Sequence, residues 1–437
     1  MCKDMLQSKK RYLTGIDWFI QVFDYMNKQL TGEGHIFQIV VELEGHVDNE
    51  NFEEDLKQFI DKFPVLKGKT ARGFNLAPYW KLGSANTPLH TGTSYVNNKT
   101  EVLPCIENLK HKHSYLSCHF VFLKNTTFIA LTFDHRIFDG LGGELFLKAF
   151  QEFFKNKLQY SCDVNFSAPA HLSQWRKKFE AGKVVNRAFL KIRTMKPAKA
   201  IQIPHQNKIK NKFRFKVITF SPQESKEIIN KANSDAGYLL LMPYLLANTI
   251  MFMNKVFVNH GIDQGTLVVP VTIDMRSSKK TVEDMFFNHL SFLFFKIDSE
   301  EITDLSVLIN LIKQQLYDQV KEGFSEKFRE TALLMRILPV PLLGRVMGLY
   351  IKKKMTSFCF SYLGNSVYTH THLLDKQVKN IFHMPRAAIP PGIGIFYHQF
   401  NGRINATVSY LDGMLTEEDL NIIMDDLRAL PLNVSKQ

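Results

Sequence analysis

The segment Asp134-His135-Arg136-Ile137-Phe138-Asp139-Gly140 is where residue types and spacing combine into recognisable chemistry. A histidine titrates near neutrality, so it can take up a proton and return it under ordinary conditions. His135 follows directly on an apolar, β-type run at 127–133, and a loop at a strand end presents a side chain rigidly. Asp139 is close enough to hold that loop through backbone bonds or an ion pair. Gly140 offers a backbone freedom that other residues lack, and Gly142-Gly143 lead into a helix. The start of such a helix carries unpaired N–H groups and a partial positive charge. A base, a donor for a developing oxyanion and a shaped site are what acyl transfer from a thioester requires. A histidine with a purely structural role in a tight turn is the competing reading.

Other constellations carry less. His111 and His113, or His370 and His372, could each offer two metal ligands, but neither pair has a Cys, Asp or Glu at a familiar spacing. No metal or redox cofactor is expected. No GxSxG, Walker A or GxGxxG run is present, which argues against serine hydrolases, NTPases and dinucleotide enzymes. Cys2, Cys105, Cys118, Cys162 and Cys359 are scattered, without a CxxC, so neither a zinc ribbon nor a disulfide scaffold is expected.

The elements that must position His135 follow from hydropathy patterning. Strands are predicted at 36–43, 116–123 and 127–133, the last two joined as a hairpin through Lys124-Asn125-Thr126. An amphipathic helix is predicted over 51–63, stopped by Pro64, and another over 144–154. The stretch 66–104 is turn-rich. In the second half, strands are predicted at 213–220, 266–271, 290–297, 357–363, 393–399 and 404–410. Helices are predicted at 222–234, 238–259, 305–323 and 416–430. Strands and helices mix in both halves, which predicts an α+β chain of two lobes, as its 437 residues also suggest. The expected division is 1–165 for the first lobe, 166–215 for a basic connector and 216–437 for the second lobe.

Composition is ordinary for a globular protein, with 45% hydrophobic and 22% charged residues, apart from 36 Phe. Those Phe are expected to fill cores, with a hydrophobic substrate channel as the alternative. The formal charge of +13 is concentrated: 176–216 holds fourteen Lys or Arg against one acid, Glu180. Such a strip suits an acidic partner, a phosphate-bearing cofactor or anionic lipid, or is a solvated connector. No motif or stacking array joins it to make a nucleic-acid surface. The start of the sequence has no apolar core of a signal peptide, and no run reaches the roughly 20 apolar residues of a membrane span. A reduced, cytoplasmic, monomeric protein is expected. The apolar, cationic stretch 342–355 is either a peripheral membrane contact or a helix packed on the second lobe.

The run LTFDHRIFDGLGGELFLKAFQEFF resembles the HHxxxDG active-site region of the CoA-dependent acyltransferase superfamily. That group includes chloramphenicol acetyltransferase, lipoyl acyltransferases, peptide-synthetase condensation domains, wax ester synthases and plant BAHD acyltransferases. Asp134 stands in the place of the first histidine, as in the lipoyl enzymes, whose motif reads DHRxxDG. His135 matches the family's base, Asp139 its structural aspartate and Gly140 its glycine. Val268-Val269-Pro270-Val271-Thr272-Ile273-Asp274-Met275-Arg276 resembles the strand that ends in the arginine paired with that aspartate, which implies an Arg276–Asp139 bond across the lobes. Asn288-His289-Leu290-Ser291 resembles the stretch that follows, with Phe287 where a glycine is usual; Asn288 and Ser291 are the substrate-binding candidates. Phe360-Ser361-Tyr362-Leu363-Gly364-Asn365, Asp17, Phe63-Pro64-Val65-Leu66 and TVSYLDGMLTEEDL also match condensation-like segments.

The early place of His135 in a long chain sets the lipoyl reading aside. What the resemblance implies is two chloramphenicol-acetyltransferase-like lobes, mixed sheets flanked by helices, with an active-site tunnel between them. The implied activity is transfer of an acyl group from acyl-CoA or an acidic acyl-carrier protein to a small-molecule hydroxyl or amine, with a phosphopantetheine-linked donor as co-substrate. A condensation enzyme forming amide bonds and an inactive scaffold of the same fold are the alternatives.

Overall fold

The computed structural model describes residues 10–73, 77–83, 89–109, 114–157, 180–187, 198–203, 212–277, 279–351 and 356–432. The first half contributes β1 (Lys10–Tyr12), α1 (Gly15–Thr31), β2 (Ile36–Glu44), α2 (Asn49–Ile60), β3 (Lys69–Arg72) and β4 (Pro78–Lys81). It continues with β5 (His90–Val96), α3 (Lys99–Glu107), β6 (Leu116–Leu123), β7 (Thr126–Asp134) and α4 (Gly140–Lys155). Then come β8 (Phe213–Thr219), α5 (Pro222–Asp235), α6 (Leu241–Asn259), β9 (Thr266–Asp274), β10 (Leu290–Asp298), α7 (Leu305–Lys321), α8 (Phe324–Ala332) and α9 (Val340–Ile351). The chain closes with β11 (Cys359–Asn365), β12 (His372–Leu373), β13 (Lys376–Pro385), β14 (Ile393–Phe400), β15 (Arg403–Leu411) and α10 (Glu417–Ala429).

Helix ends are set by side chains that satisfy the backbone N–H groups left over at every helix start. Thr14 and Asp17 form a reciprocal capping box on α1, as Ser221 and Glu224 do on α5 and Thr416 and Asp419 on α10. The stretch 66–104, predicted as turns, holds β3, β4, β5 and α3. β3 and β4 are four residues each, and α3 carries Pro104 within it, so local signals were weak where tertiary pairing decided the outcome.

The strands form two six-stranded mixed sheets, in the orders β12-β13-β2-β7-β6-β5 and β10-β9-β11-β14-β15-β8, with a small sheet β1-β4-β3 beside them. The α+β, two-lobed architecture predicted from patterning is the one observed. The lobes do not divide at one place in sequence, however. β12 and β13, from the part of the chain assigned to the second lobe, belong to the first lobe's sheet, where β13 runs antiparallel to β2 from Pro385↔Phe37 to Val378↔Leu43. An unpaired β2 edge would expose backbone donors and acceptors, and β13 covers it. Most of the proposed connector 166–215 lies outside the described residues.

Phenylalanine fills the first lobe's core, as composition suggested. Phe52, Phe59, Phe133, Phe138, Phe146 and Phe150 are all buried and meet mostly edge to face, at centroid separations of 4.9–5.8 Å. Each buried ring contributes about 2 kcal/mol by leaving water, and such pairs add about 1 kcal/mol. Contrary to the expectation that no run reaches a membrane span, α6 in the second lobe is a 19-residue helix long and apolar enough to cross one by length and composition, but 72% of its most apolar window is buried inside the protein. It is a core helix lying under α5, α7 and α10. Helix α9, which covers most of the stretch weighed as a membrane contact, packs on α1 rather than on the second lobe's sheet; a Cβ at Gly344 would stand 2.9 Å from Tyr25.

Candidate active site

His135 sits one residue beyond β7, and backbone pairing places it there. β7 pairs with β2 as far as Asp134↔Ile36, and the His135 N–H continues to the His35 carbonyl at 3.0 Å. The chain then turns back: the Ile137 and Phe138 N–H groups both donate to the Asp134 carbonyl at 3.1 Å. Asp139 caps α4 by accepting from the Gly142 N–H at 2.7 Å. Asp134 points away from the ring and takes the Arg136 guanidinium on both oxygens, at 2.6 and 2.9 Å, a fork geometry that fixes both side chains. Asp134 therefore closes the turn around His135.

From the second lobe, the turn between β9 and β10 comes down onto this loop. Arg276, 1% exposed, donates to Asp139 Oδ1 at 2.8 Å, and also to Asp274 Oδ1 at 3.0 Å and the Asp284 carbonyl at 3.0 Å. The His289 N–H donates to Asp139 Oδ2 at 2.9 Å. Burial pushes the Asp139 carboxyl up, but the Arg276 charge and hydrogen bond and the His289 N–H outweigh it and hold it below the usual carboxylate range. Asp139 thus joins three things at once: its own helix, the arginine and the β9–β10 turn.

Asn288 fixes the ring itself. Its Oδ1 lies 3.1 Å from His135 Nδ1, and its Nδ2 donates to the His135 carbonyl at 2.9 Å. The second bond sets the amide's orientation, because a reversed amide would bring two oxygens together. Oδ1 can only accept, so Nδ1 carries the proton and Nε2 is the basic nitrogen. Asn288 is in turn anchored through its N–H to Asp17 Oδ1 at 3.1 Å, and Asp17 is held by Arg11 at 3.0 Å. Asn288 was expected to bind substrate; the structure instead places it behind the ring. Ser291 does not reach the cleft either. It is fully buried, and its hydroxyl donates to the Ser325 carbonyl at 2.8 Å.

Two glycines act differently from expectation. Gly140 is not among the positive-φ residues, so conformational freedom does not explain it. It leaves room in the cleft wall: a Cβ there would sit 3.3 Å from Leu363 and 3.7 Å from His383 Nδ1. Gly142 allows the two lobes to touch, since a Cβ would fall 2.4 Å from the Met285 carbonyl oxygen. Phe287, where a glycine was the pattern, does adopt a positive φ of 69°. The Arg11 guanidinium lies 3.6 Å over its ring, and its N–H donates to the Ile137 carbonyl.

The cleft that His135 faces is walled by both lobes: Phe37, Asp139 and His383 on one side, Thr272, Phe292 and Tyr362 on the other. His35 lies flat on His135, ring centroids 4.6 Å apart and planes within 5°. Burial, and next the proximity of His135, push the His35 pKa well below its ordinary 6.5. His135 is also pushed below 6.5, by burial above all, although Asp139, Asn288 and Asp134 pull the other way. Both rings are neutral at pH 7, which is the form a general base needs. His35 carried no sequence signal, because it stands a hundred residues before the motif and meets it only through the β2–β7 pairing. His370 and His372 gather no further ligand into a metal cluster among the described residues, and His111 and His113 lie outside them. Of the basic strip, Lys199 is buried against Asn254 at 2.7 Å and Arg214 pairs with Asp412 at 2.9 Å, so these two cations are engaged within the fold.

No family model matches the sequence, and no curated protein does. Solved structures do, at low identity. A trichothecene 15-O-acetyltransferase from Fusarium sporotrichioides superposes with a TM-score of 0.69 at 11% identity, over 97% of this chain and 94% of that one. The starter condensation domain of rhizomide synthetase, in complex with C8-CoA and Leu-SNAC, gives 0.65 at 11% identity, over 99% and 96%. Polyketide synthase associated protein 5 from Mycobacterium tuberculosis gives 0.63 at 12% identity, over 96% and 98%. From end to end, the chain has the two-lobed fold of the CoA-dependent acyltransferases and condensation domains.

Proposed function

We propose that this protein transfers an acyl group from a thioester, acyl-CoA or an acyl-carrier protein, to a hydroxyl or amine, with His135 as general base. The observation that carries the reading is the Asn288 amide, which assigns the proton to Nδ1 and leaves Nε2 basic on a ring that borders a two-lobed cleft. Nε2 takes the proton from the acceptor as its oxygen or nitrogen attacks the thioester carbonyl. The protonated imidazole then returns that proton to the departing thiolate, so the ring ends as it began. Asp139 and Arg276 take no proton in this scheme; they hold the loop and the β9–β10 turn in register.

The similar folds of an O-acetyltransferase and of a condensation domain complexed with C8-CoA support a CoA thioester as donor. The test is thiol release and product mass for the full chain offered a series of acyl-CoAs and carrier-bound acyl groups with hydroxyl and amine acceptors. Turnover is expected, reduced at least about 100-fold in His135→Ala. Wild-type rates in His135→Ala, or no turnover by the wild type with any donor, would overturn the assignment.

A further inference from the structure

We propose that Glu144, His383 and His398 form a binding site for a divalent transition-metal ion of the zinc class, beside the cleft and separate from His135. The three come from three elements and both sheets: Glu144 from α4, His383 from β13 and His398 from β14. They are 1%, 3% and 3% exposed. Their donor atoms converge, with His383 Nε2 at 2.7 Å and His398 Nε2 at 2.6 Å from the same oxygen, Glu144 Oε1. Two imidazoles and a carboxylate are a ligand set that zinc and its neighbours accept.

Hydrogen bonding alone does not account for the cluster. His398 is almost wholly buried: its Nδ1 has no hydrogen-bond partner, and its Nε2 crowds onto the same carboxylate oxygen that His383 Nε2 already occupies. Burying a polar group in that condition is unfavourable. A metal ion would take both Nε2 lone pairs and the carboxylate oxygen, and so relieve the crowding at Glu144 Oε1. The outer oxygen of the carboxylate is already oriented as a ligand's is, since Glu144 Oε2 accepts from Ser366 Oγ at 2.7 Å and from the Val367 N–H at 2.8 Å. Tetrahedral coordination at about 2.1 Å sets donor atoms roughly 3.4 Å apart, so binding would draw the two rings, now at 2.7 and 2.6 Å, back from the carboxylate by about 0.7–0.8 Å.

Binding would also change what the cleft meets. A neutral His383 that donates from Nε2 to Glu144 presents an accepting Nδ1 at the Gly140 wall. With Nε2 on a metal, a neutral ring carries its proton on Nδ1 and presents a donor there. The metal would thus tie the two lobes together and reverse the polarity of one cleft-facing atom. Three protein ligands leave a fourth position for water.

The site stands independently of the acyl-transfer reading, and its test uses no acyl donor. Full-length protein is stripped by chelator and titrated with Co²⁺ alone, followed by visible absorption, and then with Zn²⁺ in competition. One equivalent of Co²⁺ is expected, with a ligand-field spectrum displaced by Zn²⁺. His398→Ala and Glu144→Gln should each weaken binding at least about 100-fold, while the double variant His370→Ala/His372→Ala binds as the wild type does. Absence of a stoichiometric Co²⁺ spectrum from the wild type would overturn the proposal, as would unchanged binding in folded His398→Ala. The wild-type titration decides the matter even where a variant fails to fold.

Discussion

At the scale of the residue, His135 is defined by what holds it. The Asn288 amide chooses the tautomer, Asp134 locks Arg136 to shape the turn, and His35 stacks on the imidazole face. Asn288→Ala would leave Nδ1 without its acceptor and let the ring rotate. Displaced catalytic groups cost up to about 100-fold, so kcat should fall by 10- to 100-fold with KM little changed, measured by thiol release. The pH dependence follows from the direction of the His135 shift. Its pKa lies below 6.5, so the basic form is already dominant at pH 7 and is lost as pH falls through the lowered value. The rate profile kcat/KM should therefore be flat near pH 7 and fall only on the acid side of 6.5; a limb centred above 7 would contradict the burial of this ring. Much of this was legible. His135, Asp139 and the Arg276 segment carry residue types at spacings that can be read along the chain. His35 and the Glu144–His383–His398 cluster were not legible, because their members are spread over the chain and only strand pairing brings them together.

At the scale of the element, the β9–β10 turn is what joins one lobe to the other lobe's His135 loop. Arg276→Met would leave the Asp139 carboxylate buried and unpaired, and losing one partner of such a pair costs about 3–5 kcal/mol. Denaturant unfolding should show that loss in Arg276→Met and a smaller one in Arg276→Met/Asp139→Asn, where no orphan charge remains. Gly142→Ala should lower the melting temperature, because its new methyl group meets the Met285 backbone, which has no rotamer with which to yield. Phe287 shows how an element can depart from an expected pattern and keep its geometry. Its positive φ costs about 1–3 kcal/mol, and the buried ring under Arg11 offsets that cost. Several long strands and helices were legible from periodicity, including β2, β7, α6 and α10, but the 17-residue α1 and the ten-residue β13 were not predicted. The short strands β3 and β4 were not, since four residues carry too little alternation to outweigh nearby turn signals.

At the scale of the whole molecule, the two sheets share more than a boundary. β13 completes the first sheet while its side chains reach the second: Asn380 and Asn405 hydrogen-bond at 2.9 Å, and Thr407 donates to the His383 carbonyl at 2.7 Å. A fragment ending at residue 366 would keep the His135 loop but lack the strand that covers β2. Such a fragment should be recovered mainly as aggregate, and supplying 367–437 in trans should restore soluble material; size-exclusion chromatography distinguishes the outcomes. The same strand has a consequence for the order in which the chain is made. A ribosome delivers β2 more than three hundred residues before β13, so the first lobe must wait, its sheet one edge short, until four of the second sheet's six strands have emerged. During synthesis, then, the His135 loop is an early product that a strand made more than three hundred residues after β2 brings to completion.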